Sequence, residues 1–359
     1  MSGTQSLRVG ILAGGATGER DVSLKTGRAV EAALGERGHH TVLVDLGPDS
    51  GRPTWSVSGE AGSPLEVLAG PLAEVDVFFL ALHGGAGEGG SLQDFLETLG
   101  LAYTGSGVGA SALCLDKQGF LLQLERSGLC TAPRVLVPRD ATDDELRELH
   151  AAALELPGSE HGLVIKPRFG GSSVATTCLA AGTSLKGDLI EAIAAVREQP
   201  DGADDAVVEV RVKGLEASCG VLEDEQGRPR ALTPIEIRPK DGGFFDYEEK
   251  YAEDGALEFC PPVAIPPGVQ ARLQELSLLV HRVTGCVGYS RVDFMLPGLT
   301  IEAGGPVDCE PVLLESNTLP GLTPRSLFPK EATEAGLSFG ELCEAICHAG
   351  LRAYARRGH

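Results

Sequence analysis

Apolar and polar positions alternate along this chain in blocks that read as strands and helices in turn. Leu7–Ala13 is an apolar run ending in Gly14-Gly15, and a helical stretch follows from Val22 to Leu34. His40–Leu46 and Val75–Leu82 read as further strands. Ser91 is positioned as an N-cap for SLQDFLETLG, with Asp94 in the reciprocal place and Gly100 as the stop. Strand–helix alternation of this kind predicts a parallel sheet covered by helices, over residues 1–115.

A second block, 116–205, carries a helix at Lys117–Arg126, a strand at Pro133–Val137 and an acidic helix at Asp143–Leu156. The strand Leu163–Lys166 runs into Gly170-Gly171-Ser172-Ser173, and a further strand and the helix Lys186–Glu198 follow. The polar, turn-rich run from Gln199 to Asp205 marks a boundary. Beyond it, 206–359 opens with Ala206–Val212 and Ala217–Glu223, which read as a hairpin. An amphipathic helix carries Val269, Leu273, Leu276, Val280 and Val283 at helical spacing. The strands Gly288–Leu296 and Cys309–Glu315 come next, and Ser338 with Glu341 caps the last helix.

Composition narrows the function classes. A chain of 359 residues suits two or three domains, and a net charge of −21 argues against nucleic-acid or membrane-surface binding, both of which need a basic face. A nucleotide's phosphates remain compatible with that charge, because they need only local cations and amides. No stretch is apolar for long enough to span a bilayer, and the N-terminus lacks the pattern of a signal peptide. Nine scattered cysteines without a CxxC read as reduced core thiols of a cytoplasmic protein.

Gly85-Ala86-Gly87-Glu88-Gly89-Gly90 matches G-x-G-x-x-G between a strand and a helix, the pattern of a dinucleotide loop. The ribose-binding acid that should follow about 20 residues on is missing from the Gly/Ser/Ala/Val run at 105–112. No Walker-type phosphate loop occurs either.

Three constellations carry chemistry. Arg291 and Asp293 alternate on one strand, as Glu315 and Asn317 do on the next, so each pair projects to one face. Two carboxylates and an amide oxygen are hard ligands for Mg²⁺ beside the fixed positive charge of Arg291, or else the four form a structural ion network. Lys166, ending an apolar strand before the Gly170–Ser173 loop, offers charge and backbone donors to phosphate. The run Phe244–Tyr251 is aromatic and charged, as a loop that closes over a substrate would be, or a solvated surface loop.

In this order the blocks GGATGERDVSL, ALHGGAGEGGSLQ, YTGSGVGASALCLDK, VIKPRFGGSSV, FFDYEEKY, SRVDF and ESNTLPGLTPRSLFP resemble the D-alanine–D-alanine ligase family of ATP-grasp enzymes, from about Val9 to Ile346. The resemblance implies a three-domain α/β ATP-grasp architecture with an N-terminal, Rossmann-like parallel-sheet domain. It implies ATP as substrate, two Mg²⁺ ions (or Mn²⁺ in their place), and two D-alanines joined through an acyl-phosphate for peptidoglycan precursors. A different second substrate, such as D-lactate or D-serine, is the alternative. A homodimer in the cytoplasm is expected, with no nucleic-acid or membrane partner.

The resemblance also assigns residues. Lys117, Lys166 and Lys250 match phosphate lysines, Glu209 the acid near adenine, and Glu216 the ribose carboxylate. Asp293, Glu315 and Asn317 match metal ligands. Glu19, Ser172 and Tyr251 match a trio that orients the first D-alanine, with His83 lining its site. Arg291 and the Gly321 amide match the oxyanion site, and Ser326 and Leu327 the binders of the second carboxylate. Gly89 stands where an acid is usual, Ala175 where glycine is usual, and Val210 where a lysine or acid often sits; the segment Pro297–Asp308 is longer than usual.

Overall fold

The structure is a computed structural model that describes residues 6–47, 53–171, 175–181, 188–198, 205–239, 256–300 and 309–358. Its strands form three sheets. In the first, β1 (Arg8–Gly14) pairs in parallel with β2 (His40–Leu46) and β5 (Val77–Leu80). The hairpin β3 (Trp55–Val57) and β4 (Glu60–Gly62) adds an antiparallel edge, giving the order β4-β3-β2-β1-β5. All four residues of β5 are buried, as expected of a strand covered on both faces.

Helix α1 (Arg20–Glu36) connects β1 to β2, and its Gly27 lies so close that a Cβ there would stand 2.7 Å from that of Ala13. After the short α2 (Pro64–Ala69), β5 leads into α3 (Gly85–Glu88), α4 (Ser91–Thr98) and α5 (Val108–Leu115). The expected Ser91 cap is displaced by one residue. Gly90 is the N-cap at φ 96, and Ser91 is the first helical residue with no cap bond from a side chain. A side chain at 90 would be strained in that left-handed region and would bring a Cβ 2.9 Å from the Val108 carbonyl.

Asp116 caps α6 (Lys117–Arg126) by accepting from the Gly119 amide. The second sheet follows, with order β6 (Arg134–Val137), β9 (Ala206–Val210), β7 (Leu163–Pro167), β8 (Thr177–Leu179). Helices α7 (Asp143–Leu154) and α8 (Ile190–Arg197) close its core through Leu146, Ile193 and Val196 against Ile165 and Val208. The hairpin expected at 206–223 does not form. β9 pairs with β6 and β7, whereas β10 (Gly214–Glu223) belongs to the third sheet, so the chain passes from one sheet to the other at Arg211–Lys213. Both segments are strands, as expected; what a local pattern lacks is the identity of a strand's neighbour.

The third sheet runs β13 (Leu257–Phe259), β12 (Ile235–Arg238), β10, β14 (Tyr289–Pro297), β15 (Val312–Asn317), with β11 (Pro229–Ala231) beside β10. On one face Leu215, Ala217, Cys219, Val292 and Phe294 pack against Leu273, Leu276 and Val280 of α9 (Pro267–Val283), the amphipathic helix the spacing predicts. The other face carries Glu216, Ser218, Arg291 and Asp293, beside an apolar patch where Ile235 and Ile237 meet Leu327. Past β15 lie α10 (Leu327–Glu334) and α11 (Phe339–Arg356), the latter with the expected Ser338–Glu341 capping box.

Helix α11 returns to the first sheet. Leu342, Cys343, Ile346 and Cys347 join the core of Val9, Ile11 and Phe79, and Glu344 binds Arg37 and His39. No helix among the described residues is long and apolar enough to cross a membrane. Gly350 lets α11 approach so closely that a Cβ would fall 2.6 Å from the Tyr103 carbonyl. Gly350→Leu is therefore expected to lower stability by about 1–3 kcal/mol, the usual cost of overpacking, as read by urea denaturation. An unchanged midpoint would mean that this seam yields without strain.

Candidate active site

The polar patch of the third sheet is built by alternation. Glu216, Ser218 and Gly220 share a face of β10; Ser218 stands opposite Asp293 and Gly220 opposite Arg291 on β14. Across β14, Asp293 faces Glu315 and Arg291 faces Asn317, with a bulge after Asp293. The expected gathering of Arg291, Asp293, Glu315 and Asn317 is thus on one patch of two paired strands.

Its bonding centres on Asp293. The Nε and Nη2 of Arg291 donate to its two oxygens at 2.9 and 2.8 Å, the Asn317 amide nitrogen donates at 3.0 Å, and the Ser218 hydroxyl donates to Oδ1. Burial opposes the charge of Arg291, but the Asp293 carboxylate outweighs it and holds the guanidinium pKa above its ordinary value. Glu315 contributes to the same attraction.

Two lysines approach, one from α6, which packs on the third sheet, and one from the second sheet. Lys117, at the start of α6, donates from Nζ to the Gly170 carbonyl, and burial lowers its pKa against the pull of Glu315. Lys166 ends β7 and pairs with Glu209 of β9 at 2.8 Å, both side chains almost fully buried. Glu209 Oε1 is buried without a hydrogen-bond partner among the described residues. Such an orphaned acceptor suits a ligand that brings N–H donors.

The first unit contributes acids. Glu19 precedes α1 and is 6% exposed; His83 follows β5, with Nε2 3.2 Å from the Thr26 hydroxyl. Burial lowers the His83 pKa, with Glu19 opposing and Arg291 reinforcing the fall, so the ring is neutral and lies near both. A Cβ on Gly171 would come 3.6 Å from Glu19 Oε2 and 3.8 Å from Glu88 Oε2, which seats the glycine loop over this acid pair. Ala175, just beyond that loop, has φ 52, a left-handed value that accounts for glycine being usual there.

At the far end, Ser326 is the N-cap of α10 but makes no cap bond. Its hydroxyl instead meets Thr323, and a Cβ on Gly321 would come within 3.0 Å of it. Leu327 is buried as the first residue of the helix. A helix N-terminus with unspent amides favours a carboxylate. Ser172, Lys250 and Tyr251 lie outside the described residues.

Sequence reasoning passed over Glu88 and Ser218. Glu88 lies in the very run weighed as a dinucleotide loop, and its carboxyl accepts from the Gly84 amide at 3.0 Å. Burial first, and then Glu19, push it up to about 8, with Glu315 and Arg291 also acting on it. Ser218 could have been found by extending the alternation of β10 from Glu216.

A family profile described as D-ala D-ala ligase C-terminus matches residues 124–348. The D-alanine–D-alanine ligase of Nitratidesulfovibrio vulgaris (strain DP4) is 38% identical over 351 residues, covering 98% of this chain and all of that one. The crystal structure of D-alanine–D-alanine ligase from Bacillus anthracis complexed with ATP superposes with a TM-score of 0.73 at 28% identity, over 98% of this chain and 100% of that one. The ligase structure from Coxiella burnetii, at 23% identity, shares the fold with a TM-score of 0.75 over 99% and 96%.

In the ligand-free protein Glu88 keeps its proton to about pH 8, whereas unfolded it releases it near 4.5. The unfolded state then binds fewer protons in that window, so this group's contribution to stability is full below about 4.5 and is lost as pH rises through about 8. Glu88→Gln should flatten that part of the stability–pH curve in urea titrations. Parallel curves for the two proteins would show that Glu88 is ionised at neutral pH.

Proposed function

The chain belongs to the D-alanine–D-alanine ligase family, and from that premise we propose that it joins two D-alanines through a D-alanyl-phosphate, cleaving ATP to ADP and phosphate. The observation that carries this reading is the convergence of groups from all three sheets. Glu315 acts electrostatically on Lys117, Glu88 and Arg291, so phosphate lysines, substrate-side acids and the oxyanion cation face one volume.

In this reading Glu19 and neutral His83 hold the ammonium end of the first D-alanine, with Ser172 and Tyr251 completing the contact. Lys117, Lys166 and Lys250 neutralise ATP phosphates, Glu209 accepts from the adenine amine through its unpaired oxygen, and Glu216 holds the ribose. A carboxylate is a poor electrophile, and its attack on the γ-phosphate depends on in-line positioning and charge neutralisation. The donor set Asp293, Glu315 and Asn317 fits Mg²⁺: the oxygens are hard, and Asn317 turns its nitrogen toward Asp293, which leaves its amide oxygen for a cation. Two such ions would supply neutralisation of the phosphate oxygens there.

The second D-alanine's amine then attacks the acyl-phosphate while its carboxylate rests on Ser326 and the N-terminus of α10. Charge develops on the tetrahedral oxygen, which the Gly321 amide and Arg291 stabilise. With its Nε and Nη2 committed to Asp293, Arg291 has its Nη1 edge for this task. The free state of all nine cysteines suits the proposed cytoplasmic setting, and a homodimer remains part of the proposal, to be read from sedimentation.

With ATP, Mg²⁺ and D-alanine the protein is expected to release phosphate and form D-alanyl-D-alanine, read by a phosphate assay and mass spectrometry. Product only with D-lactate or D-serine as second substrate would redirect the assignment, and no product from any of them would remove it. Arg291→Ala should cost roughly 10²–10³ in kcat with ATP affinity retained, as measured by nucleotide titration. Equal loss of affinity and turnover would contradict an oxyanion role.

A further inference from the structure

Helix α10 buries a carboxyl that the reading above does not use. Glu331 is fully buried, its Oε1 accepts from the Gly220 amide at 3.0 Å, and its Oε2 has no hydrogen-bond partner among the described residues. Gly220 is where β10 passes between partners: β12 pairs with residues 216–218 and β11 with 221–223. Its carbonyl accepts from Leu232, and its amide, outside the strand ladder, is taken by Glu331.

The glycine is also required by space. A Cβ on Gly220 would lie 2.6 Å from Glu331 Oε2 and 2.7 Å from the Phe328 ring. Residues directly opposite in an antiparallel pair send their side chains to the same face. Because Gly220 stands opposite Arg291, the carboxyl of Glu331 fills the place of the missing side chain on the face from which Arg291 projects. Arg291 and Asp293 both act on Glu331, and burial raises its pKa well above that of an ordinary glutamate.

We propose that Glu331 is a positioning residue for the second half of the ligation: its bond to the Gly220 amide docks α10 on β10 beside Arg291. That bond fixes two groups relative to each other. One is the N-terminal turn of α10 at Ser326 and Leu327, where the second carboxylate binds; the other is the guanidinium that meets the oxyanion. Glu331 touches no substrate itself, and the inference rests on the ligase reading above.

The test separates the half-reactions. ADP formation from ATP and D-alanine with hydroxylamine as acyl trap reads the first, and dipeptide formation reads both. Glu331→Gln keeps the shape and the carbonyl acceptor and should retain dipeptide formation within about threefold, whereas Glu331→Leu should lose roughly tenfold or more, the scale seen when a supporting hydrogen bond is removed from a site. Trapped ADP formation should be unchanged in both. If the leucine variant does not give a native melting transition, Gly220→Ala displaces the same carboxyl and should produce the same split.

Leucine and wild-type proteins with equal dipeptide rates, equal losses in both half-reactions, or a glutamine variant as impaired as leucine would each overturn the proposal. Wild-type protein that forms no dipeptide would instead remove the ligase reading beneath it.

Discussion

Asp293 and Arg291 are neighbours on one face of β14, and the arrangement around them follows from keeping both charges largely out of water. A lone buried charge is prohibitively costly, and a pair is tolerable only when its remaining lone pairs and protons find partners. Asp293 meets that condition with donors from three strands: Arg291 beside it, Ser218 on β10 and Asn317 on β15. Each donor stands in register with the pair, so the charge centre and the strand order of the sheet specify one another.

The same constraint explains why the acids beside the first sheet and the lysines of α6 and β7 can be buried at all. Glu88, Glu315, Lys117 and Lys166 occur in a common electrostatic neighbourhood, and burial shifts the pKa of Glu88 up and that of Lys117 down. Opposite charges there are supplied by different parts of the chain. The return of α11 onto the first sheet, with Glu344 on Arg37, ties the C-terminal strands to the unit bearing Glu19 and His83.

What was legible in the sequence was local. Alternation is enough to put Arg291 with Asp293 and Glu315 with Asn317, and period-3.6 spacing is enough for α9, because each depends on residues only a few positions apart. The misread features depend on distant partners or backbone conformation. Ser91 has the chemistry of a cap, but the left-handed conformation of Gly90 claims the position; the strands of 206–223 form as expected yet join different sheets. Glu88 and Glu331 look like ordinary solvent-facing acids in one dimension. Their raised pKa values come first from burial, which Glu19 reinforces in one case and Arg291 opposes in the other, and that burial is made by elements far away in sequence.

The resemblance and the geometry therefore carry different kinds of information. Motif order names the residues that meet substrate, because those positions are bound by chemistry that every relative must perform. It is silent about groups such as Glu331, whose place is set by the absence of a side chain at Gly220 and a gap between β11 and β12. A catalytic cation needs an orientation as well as a counter-charge. Asp293 fixes one edge of Arg291, but the distance from that guanidinium to the N-terminus of α10 depends on how the helix sits on the sheet. A helix whose core-facing side carries Leu327, Phe328 and Ala332 could slide along an apolar surface at little cost, since apolar contact has no direction. A single hydrogen bond into an unpaired backbone amide does have one, and it selects a single seating.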